Sequence, residues 1–280
     1  MSSTFENTIS VLAKAGIPSP RLEARILIAE ASRQEAGNIG TDSVLDKDQQ
    51  EKLEEMLSLR LQNMPLDKII GSKDFYKYSF NVTCDVLSPR PDTEVLVEEA
   101  LRLSSAFQSP SFLDLGTGSG CILLSLLGER KDARGVGVDC SEKALAVAAS
   151  NAEKIGVKEQ VRFCRASWFN EDFGSLFAKP FDLIVSNPPY IPTGDIPGLE
   201  ENVRKYDPFG ALDGGEDGLD HYRQLAKVIP PLLKETGYVL LEIGIRQAED
   251  VCKVFEKAGL KTEKVLRDLS GIERCIILKK

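Results

Sequence analysis

The chain has 280 residues, enough for one large domain or two modest ones. Hydrophobic residues make up 42% and charged residues 28%, as in ordinary soluble globular proteins. The 35 basic against 43 acidic residues leave a net charge of −8, which argues against an extensive duplex nucleic-acid footprint, because such binding leans on phosphate neutralisation.

The N-terminus, MSSTFENTIS, lacks a basic region followed by an apolar run, so no signal peptide is expected. No apolar stretch approaches a membrane span. The six cysteines form no CxxC pair, and His221 is the single histidine, so no metal site is expected and a reducing, cytoplasmic compartment fits.

Residues 1–64 read as a small helical domain, whose composition suits equally a docking module or helices that merely cover the next domain. The first helix runs from Thr4 to Lys14, with Phe5, Ile9 and Leu12 on one face. Ser19-Pro20 predicts a second start, with Glu23 placed as in a capping box. A third helix runs from Asp46 to Asn63, with Leu53, Met56, Leu57 and Leu61 on one face. Residues 65–87 change character: Asp74 to Val82 alternates aromatic and polar residues, which predicts a β-hairpin linking two domains.

Residues 88–280 form the third segment. Ser88-Pro89-Arg90-Pro91-Asp92-Thr93-Glu94 leads into a helix, and its composition suits equally a proline-rich helix entry or a site lined by Arg90 and the carboxylates. Strands and helices then alternate, the pattern of a doubly wound α/β sheet. Strands are expected at 111–115, 134–138, 160–164, 181–186, 237–243, 261–267 and 273–278. Helices are expected near 119–129, 141–155, 218–234 and 246–258. The last two strands, joined across Ser270-Gly271, predict an antiparallel hairpin at the sheet edge. The stretch from Ile191 to Asp217 shows little regular pattern and reads as a lid or partner-contact loop, the alternative being a plain solvated surface loop.

Two turns carry the chemistry. After the strand Phe112 to Leu115 comes Gly116-Thr117-Gly118-Ser119-Gly120, whose glycines let a ligand lie against the backbone at the first turn of a sheet. The spacing is GxGxG and not the dinucleotide GxGxxG, which suits a mononucleoside without a pyrophosphate. Asp139 ends the next strand, where a carboxylate can accept both ribose hydroxyls; the alternative is a helix-capping aspartate. Trp168, the one tryptophan, sits after the third strand and could wall an adenine ring or fill core. The second turn is Asn187-Pro188-Pro189-Tyr190, at the end of the apolar run Phe181 to Ser186. Its two prolines stiffen it. Asn187 and a carbonyl of the Asn187-Pro188 segment offer two acceptors for the hydrogens of a planar NH2 group, and Tyr190 can stack on it.

The Asp114 to Gly120 loop, Asp139 and the NPPY turn together resemble the class I S-adenosylmethionine-dependent methyltransferases. The NPPY turn narrows the resemblance to enzymes that methylate planar NH2 nitrogens. Pro89-Arg90-Pro91-Asp92-Thr93-Glu94 looks like the PRPDTE segment of the release factor glutamine N5-methyltransferases, the HemK/PrmC family. The resemblance covers nearly the whole chain. It implies a Rossmann-like α/β sheet, mostly parallel with an antiparallel C-terminal edge hairpin, behind a small N-terminal helical domain. It implies S-adenosyl-L-methionine as cofactor, bound by Gly116, Thr117, Gly118, Ser119, Gly120, Asp139, Trp168 and Asn187. It implies a catalytic and substrate-binding turn of Asn187, Pro188, Pro189 and Tyr190, with Arg90 beside it. The implied reaction is methyl transfer to the glutamine of the GGQ motif in class 1 peptide chain release factors, by a monomer with no stable nucleic-acid complex. One departure is Ser167, where the family often has an aspartate accepting from the adenine amino group. Three other readings are an adenine-N6 methyltransferase, a ribosomal-protein glutamine methyltransferase and a non-catalytic binding protein. The acidic charge counts against the first of these, the Arg90 to Glu94 string against the second, and the intact glycines, Asp139 and Asn187 against the third.

Overall fold

The computed structural model describes residues 4–280. The chain divides into two compact units, at Gly71 and Ser72. The first holds four helices: α1 (Thr4–Lys14), α2 (Pro20–Ser32), α3 (Lys47–Leu61) and α4 (Leu66–Ile70). Phe5, Leu12, Leu27, Ile28, Leu53 and Met56 form its buried core, and Leu66 and Ile69 of α4 pack against it. Helix α4 falls where the sequence suggested only linker; five residues are too few to show a helical period.

The cap of α2 differs from expectation. With Ser19 at the N-cap, Glu23 stands one residue beyond the position a capping box requires, and Ser19 makes no side-chain cap bond. Glu23 instead grips Arg60 of α3, with Nε to Oε2 at 2.7 Å and Nη2 to Oε1 at 3.2 Å. The box forms at α3, where Asp46 Oδ1 accepts from Gln49 N and Gln49 Oε1 accepts from Asp46 N.

The second unit opens with a two-stranded hairpin, β1 (Ser72–Phe75) and β2 (Tyr78–Asn81), whose Phe75 and Phe80 are buried in the same core as the sheet that follows. Next come α5 (Glu94–Ser104), β3 (Ser111–Leu115), α6 (Cys121–Glu129), β4 (Arg134–Asp139), α7 (Glu142–Ile155), β5 (Val161–Arg165) and β6 (Phe181–Ser186). Then follow α8 (Glu201–Tyr206), α9 (Asp220–Leu232), β7 (Leu233–Glu242), α10 (Ala248–Lys257), β8 (Lys261–Arg267) and β9 (Glu273–Lys279). The sheet order is β5-β4-β3-β6-β7-β9-β8. β5 to β7 run parallel, while β9 is antiparallel to both β7 and β8.

Both faces of this sheet are covered, as a parallel sheet requires. Alternation along the strands divides the core: Leu183, Val185 and Leu240 face one layer, with α5 and α6, while Ile184, Val239 and Leu241 face the other, with α9 and α10. β7 starts at Leu233, four residues before the expected start, and its pairing with β6 is irregular between Phe181 and Leu183. The stretch 191–217 is not a patternless loop. It contains short 3-10 turns at Thr193–Gly198 and Phe209–Ala211 around α8, pieces too short to announce themselves by periodicity.

Candidate active site

Strand order reverses at β3, which has β4 on one side and β6 on the other. In such sheets ligands bind outside the carboxyl ends of the strands at this switch point. The loops leaving β3, β4, β5 and β6 all line one cavity there, of about 300 Å³. Its walls include Gly116 to Ser119, Asp139, Trp168 and Asn187, with Ser88 to Arg90 bordering the same space. The sequence-predicted residues are therefore gathered in one place, with three exceptions. Gly120, Pro188 and Tyr190 do not line the cavity; they stand behind its wall.

The glycine loop is held from below. Gly116 N and Thr117 N both donate to Val138 O at 2.9 Å, and Thr117 Oγ1 donates to Asp114 Oδ2 at 2.7 Å. Asp114 is fully buried, and burial pushes its carboxyl up to about 7. Gly118 has φ +54 and nothing within 4 Å of where a Cβ would stand, so backbone alone faces the open cavity there. Asp139 Oδ2 accepts from Gly118 N and Oδ1 from Ser141 N, each at 2.9 Å. It is not the cap of α7; Ser141 is, accepting from Ala144 N. A carboxylate has about four lone-pair sites, so Asp139 keeps acceptor capacity toward the cavity after both bonds.

Trp168 is 8% exposed and passes its ring beneath Gly116, where a Cβ would come to 3.3 Å from the indole. The indole Nε1, a donor, is buried without a partner in the chain. His221, at the start of α9, faces the same space. Its ring meets Trp168 edge-on at 5.6 Å and Phe169 at 5.2 Å. Nε2 lies 3.2 Å from the Asp213 carbonyl, which fixes that nitrogen as the N–H donor and leaves Nδ1 a buried acceptor with no partner. Burial lowers its pKa, so the ring is neutral near pH 7. Ser88 Oγ is a third such buried polar atom on the wall. With Ser119 Oγ, a fourth, the wall presents one indole donor, one imidazole acceptor and two hydroxyls that can do either. Arg90 lines it too, with Nη2 3.2 Å from Asp207 Oδ2.

The NPPY turn is clamped from behind. Gln247 Nε2 donates to Tyr190 O at 2.9 Å while Gln247 Oε1 accepts from Gly244 N. Gly218, with φ +76, lies so close that a Cβ would stand 2.5 Å from Tyr190 O. The Tyr190 hydroxyl points to buried Glu242, at 3.4 Å from Oε1. Burial, and then the nearby Glu242 charge, push that phenol well above its ordinary value. Gln247, Glu242 and His221 escaped the sequence reading. Only Glu242 left a signal, as a lone acid ending the apolar run Val239 to Leu241. Among the described residues, no cluster of three His, Cys, Asp or Glu side chains is placed to hold a metal ion, and no helix is long and apolar enough to cross a membrane.

Comparison with known proteins places these features in one family. A methyltransferase domain family matches residues 108–264, and a PrmC N-terminal domain family matches residues 4–71. The chain is 41% identical over 268 residues to a release factor glutamine methyltransferase of Rhodospirillum rubrum, covering 95% of this chain and 81% of that one. It is equally 41% identical over 268 residues to one of Caulobacter vibrioides, covering 95% and 91%. Among solved structures, a SAM-dependent methyltransferase from Agrobacterium tumefaciens shares the fold, with a TM-score of 0.50 and 16% identity over 74% of this chain and 68% of that one. Identity at this level across nearly the whole length decides the matter: the chain belongs to the release factor glutamine methyltransferase family.

Proposed function

We propose that this chain transfers a methyl group from S-adenosylmethionine to the side-chain amide nitrogen of a glutamine, the GGQ glutamine of a class 1 peptide chain release factor. The observation that carries the reading is that Asn187, on its two-proline turn, shares one cavity with the glycine loop and Asp139. Cofactor and amide are thereby brought within one enclosure.

The cavity fits the cofactor chemically. Gly116 to Gly120 would seat the methionine part, the clear backbone at Gly118 allowing close approach. Asp139 would take the ribose hydroxyls with its remaining lone pairs. Trp168 would wall the adenine, and Ser167, whose Oγ accepts from Phe169 N at 3.3 Å, keeps a lone pair for the adenine amine. S-adenosylmethionine supplies an electrophilic methyl group on a sulfonium. The chain supplies position. A glutamine amide nitrogen is a poor nucleophile, its lone pair delocalised into the carbonyl. Asn187 Oδ1 and a backbone carbonyl of Asn187-Pro188, accepting both amide hydrogens, orient the nitrogen and localise that lone pair, and well-oriented groups gain most of their rate from such placement. Pro189 completes the pocket's wall, Tyr190 supports the turn from behind, and Arg90 borders the entry for the substrate loop. The helical first unit is the natural dock for the rest of the release factor, in the cytoplasm, where the chain's free cysteines stay reduced.

Mass spectrometry tests the reading directly. Release factor incubated with enzyme and cofactor gains one methyl group on the GGQ glutamine, and a Gln→Asn variant of the factor gains none. Label on DNA offered in parallel, or on the Gln→Asn variant, overturns it.

A further inference from the structure

Glu242 ends β7 and is 3% exposed. A buried carboxyl in an apolar sheet carries a large desolvation cost and persists only where its partners compensate. Among the described residues no cation forms an ion pair with it. Arg274, the nearest in effect, spends its guanidinium on Asp92 at 3.0 Å and Asp268 at 3.1 Å. The partners of Glu242 are hydroxyls. Thr93 Oγ1 donates to Oε2 at 2.5 Å and Tyr190 Oη lies 3.4 Å from Oε1, while Tyr222 Oη donates to the Glu242 carbonyl at 2.8 Å. Thr93 is itself 2% exposed and closes the segment whose Ser88, Pro89 and Arg90 line the cavity. Tyr190 closes the turn that begins with Asn187. One carboxyl thus joins the two segments that border the reaction space.

We propose that Glu242 is a positioning residue for methyl transfer, its two carboxyl oxygens tying Thr93 of the Pro89–Glu94 segment to Tyr190 of the NPPY turn so that Arg90 and Asn187 keep a fixed relation. The inference rests on the reading of the cavity as the methyl-transfer site. Chemistry gives the link a protonation dependence. A carboxylate accepts from both hydroxyls, whereas a neutral carboxyl accepts from Thr93 and turns its own proton toward Tyr190 Oη, which reverses that bond and removes the charge that strengthens both. The groups facing Glu242 are Thr93 and Asp92, Tyr190, Tyr222 of α9, Cys121 of α6, and Arg274 and Cys275 of β9. Burial outweighs the Thr93 bond and the Arg274 charge and pushes Glu242 up to about 7, so the switch falls in the working range.

The test compares wild type, E242Q and T93V at several pH values. Wild-type kcat falls as pH drops through about 7, with KM for release factor and calorimetric affinity for S-adenosylhomocysteine changed little. E242Q, an isostere that cannot take the anionic form, has kcat at pH 8 lowered about tenfold, as for one lost hydrogen bond to a charged group, and loses the acid limb. T93V loses a similar factor but keeps the limb. Infrared difference spectra of wild type against E242Q read the Glu242 carboxyl band without any substrate. That measurement stands even where release factor proves not to be the acceptor. Equal kcat for E242Q and wild type at pH 8, an acid limb retained in E242Q, or a carboxyl that titrates like an exposed glutamate overturns the proposal.

Discussion

Asp139 and Asn187 line the same cavity, yet they do different work, and substitutions separate them. Asp139 accepts from Gly118 N and Ser141 N, so it holds the glycine loop as well as lining the cavity. Asp139→Ala therefore removes acceptors from two backbone donors and, on the proposed reading, from the ribose. Cofactor affinity falls at least tenfold in calorimetry, since each charge-assisted bond contributes about 1.5–3 kcal/mol, and thermal stability falls with it. Near wild-type affinity would show that the carboxylate serves only the loop. On the same reading, Asn187→Ala removes a contact aimed at the reacting amide. Its kcat drops about a hundredfold while cofactor affinity changes far less, the pattern of an interaction made chiefly in the transition state. Normal turnover in this variant would remove the amide clamp from the mechanism.

The elements show which kinds of information a sequence displays. Helix α3 starts with a complete capping box at Asp46 and Gln49, and Asp46→Ala lowers the stability of the first unit by about 1 kcal/mol, measurable as earlier proteolysis of that unit under mild denaturant. An unchanged cleavage rate would mean the box is redundant with the Glu23–Arg60 pair. The central strands of the large sheet were legible because burial on both faces demands apolar runs, as in Leu183 to Val185. The glycine loop and the NPPY turn were legible because backbone constraints are written in glycine and proline. Helix α8 and its flanking 3-10 turns were not, being three to six residues long and shaped by what they cover. The hidden parts of the site share one property: distance along the chain. Gln247 grips Tyr190 across 57 residues, and Thr93 reaches Glu242 across 149. His221 read as an isolated histidine until folding set it against Trp168 and Phe169. Local pattern fixes where a turn occurs, while the clamp behind it exists only after topology joins β6, β7 and α9.

For the whole molecule, these buried acids set how stability follows pH. Burial raises Glu242 from 4.5 to about 7 and Asp114 from 3.8 to about 7. A group with a raised folded pKa binds its proton more tightly in the native state. Its stabilising contribution is complete below the unfolded value and is lost as pH climbs through the folded one. For Glu242 alone the loss between pH 4.5 and 7 is about 3 kcal/mol, at 1.36 kcal/mol per unit. Other carboxylates act in the opposite sense. Glu99, held down by Arg102, Asp182, held down by Lys234 and Ser111 against its own burial, and Asp268, held down by the Ile272 amide and Arg274, stabilise above the usual carboxylate range and lose that support as pH falls below it. Maximum stability therefore lies at acidic pH, about 4 to 4.5, where the first set is still protonated and the second already ionised. Activity, which needs Glu242 ionised, rises over the interval in which stability declines. Thermal unfolding of wild type, E242Q and D114N from pH 4 to 8.5 tests this opposition. The descending limb should flatten in each variant, because a neutral amide has no proton to lose. Wild-type stability that climbs steadily to pH 8 would mean that both acids are ionised at little cost in the folded protein.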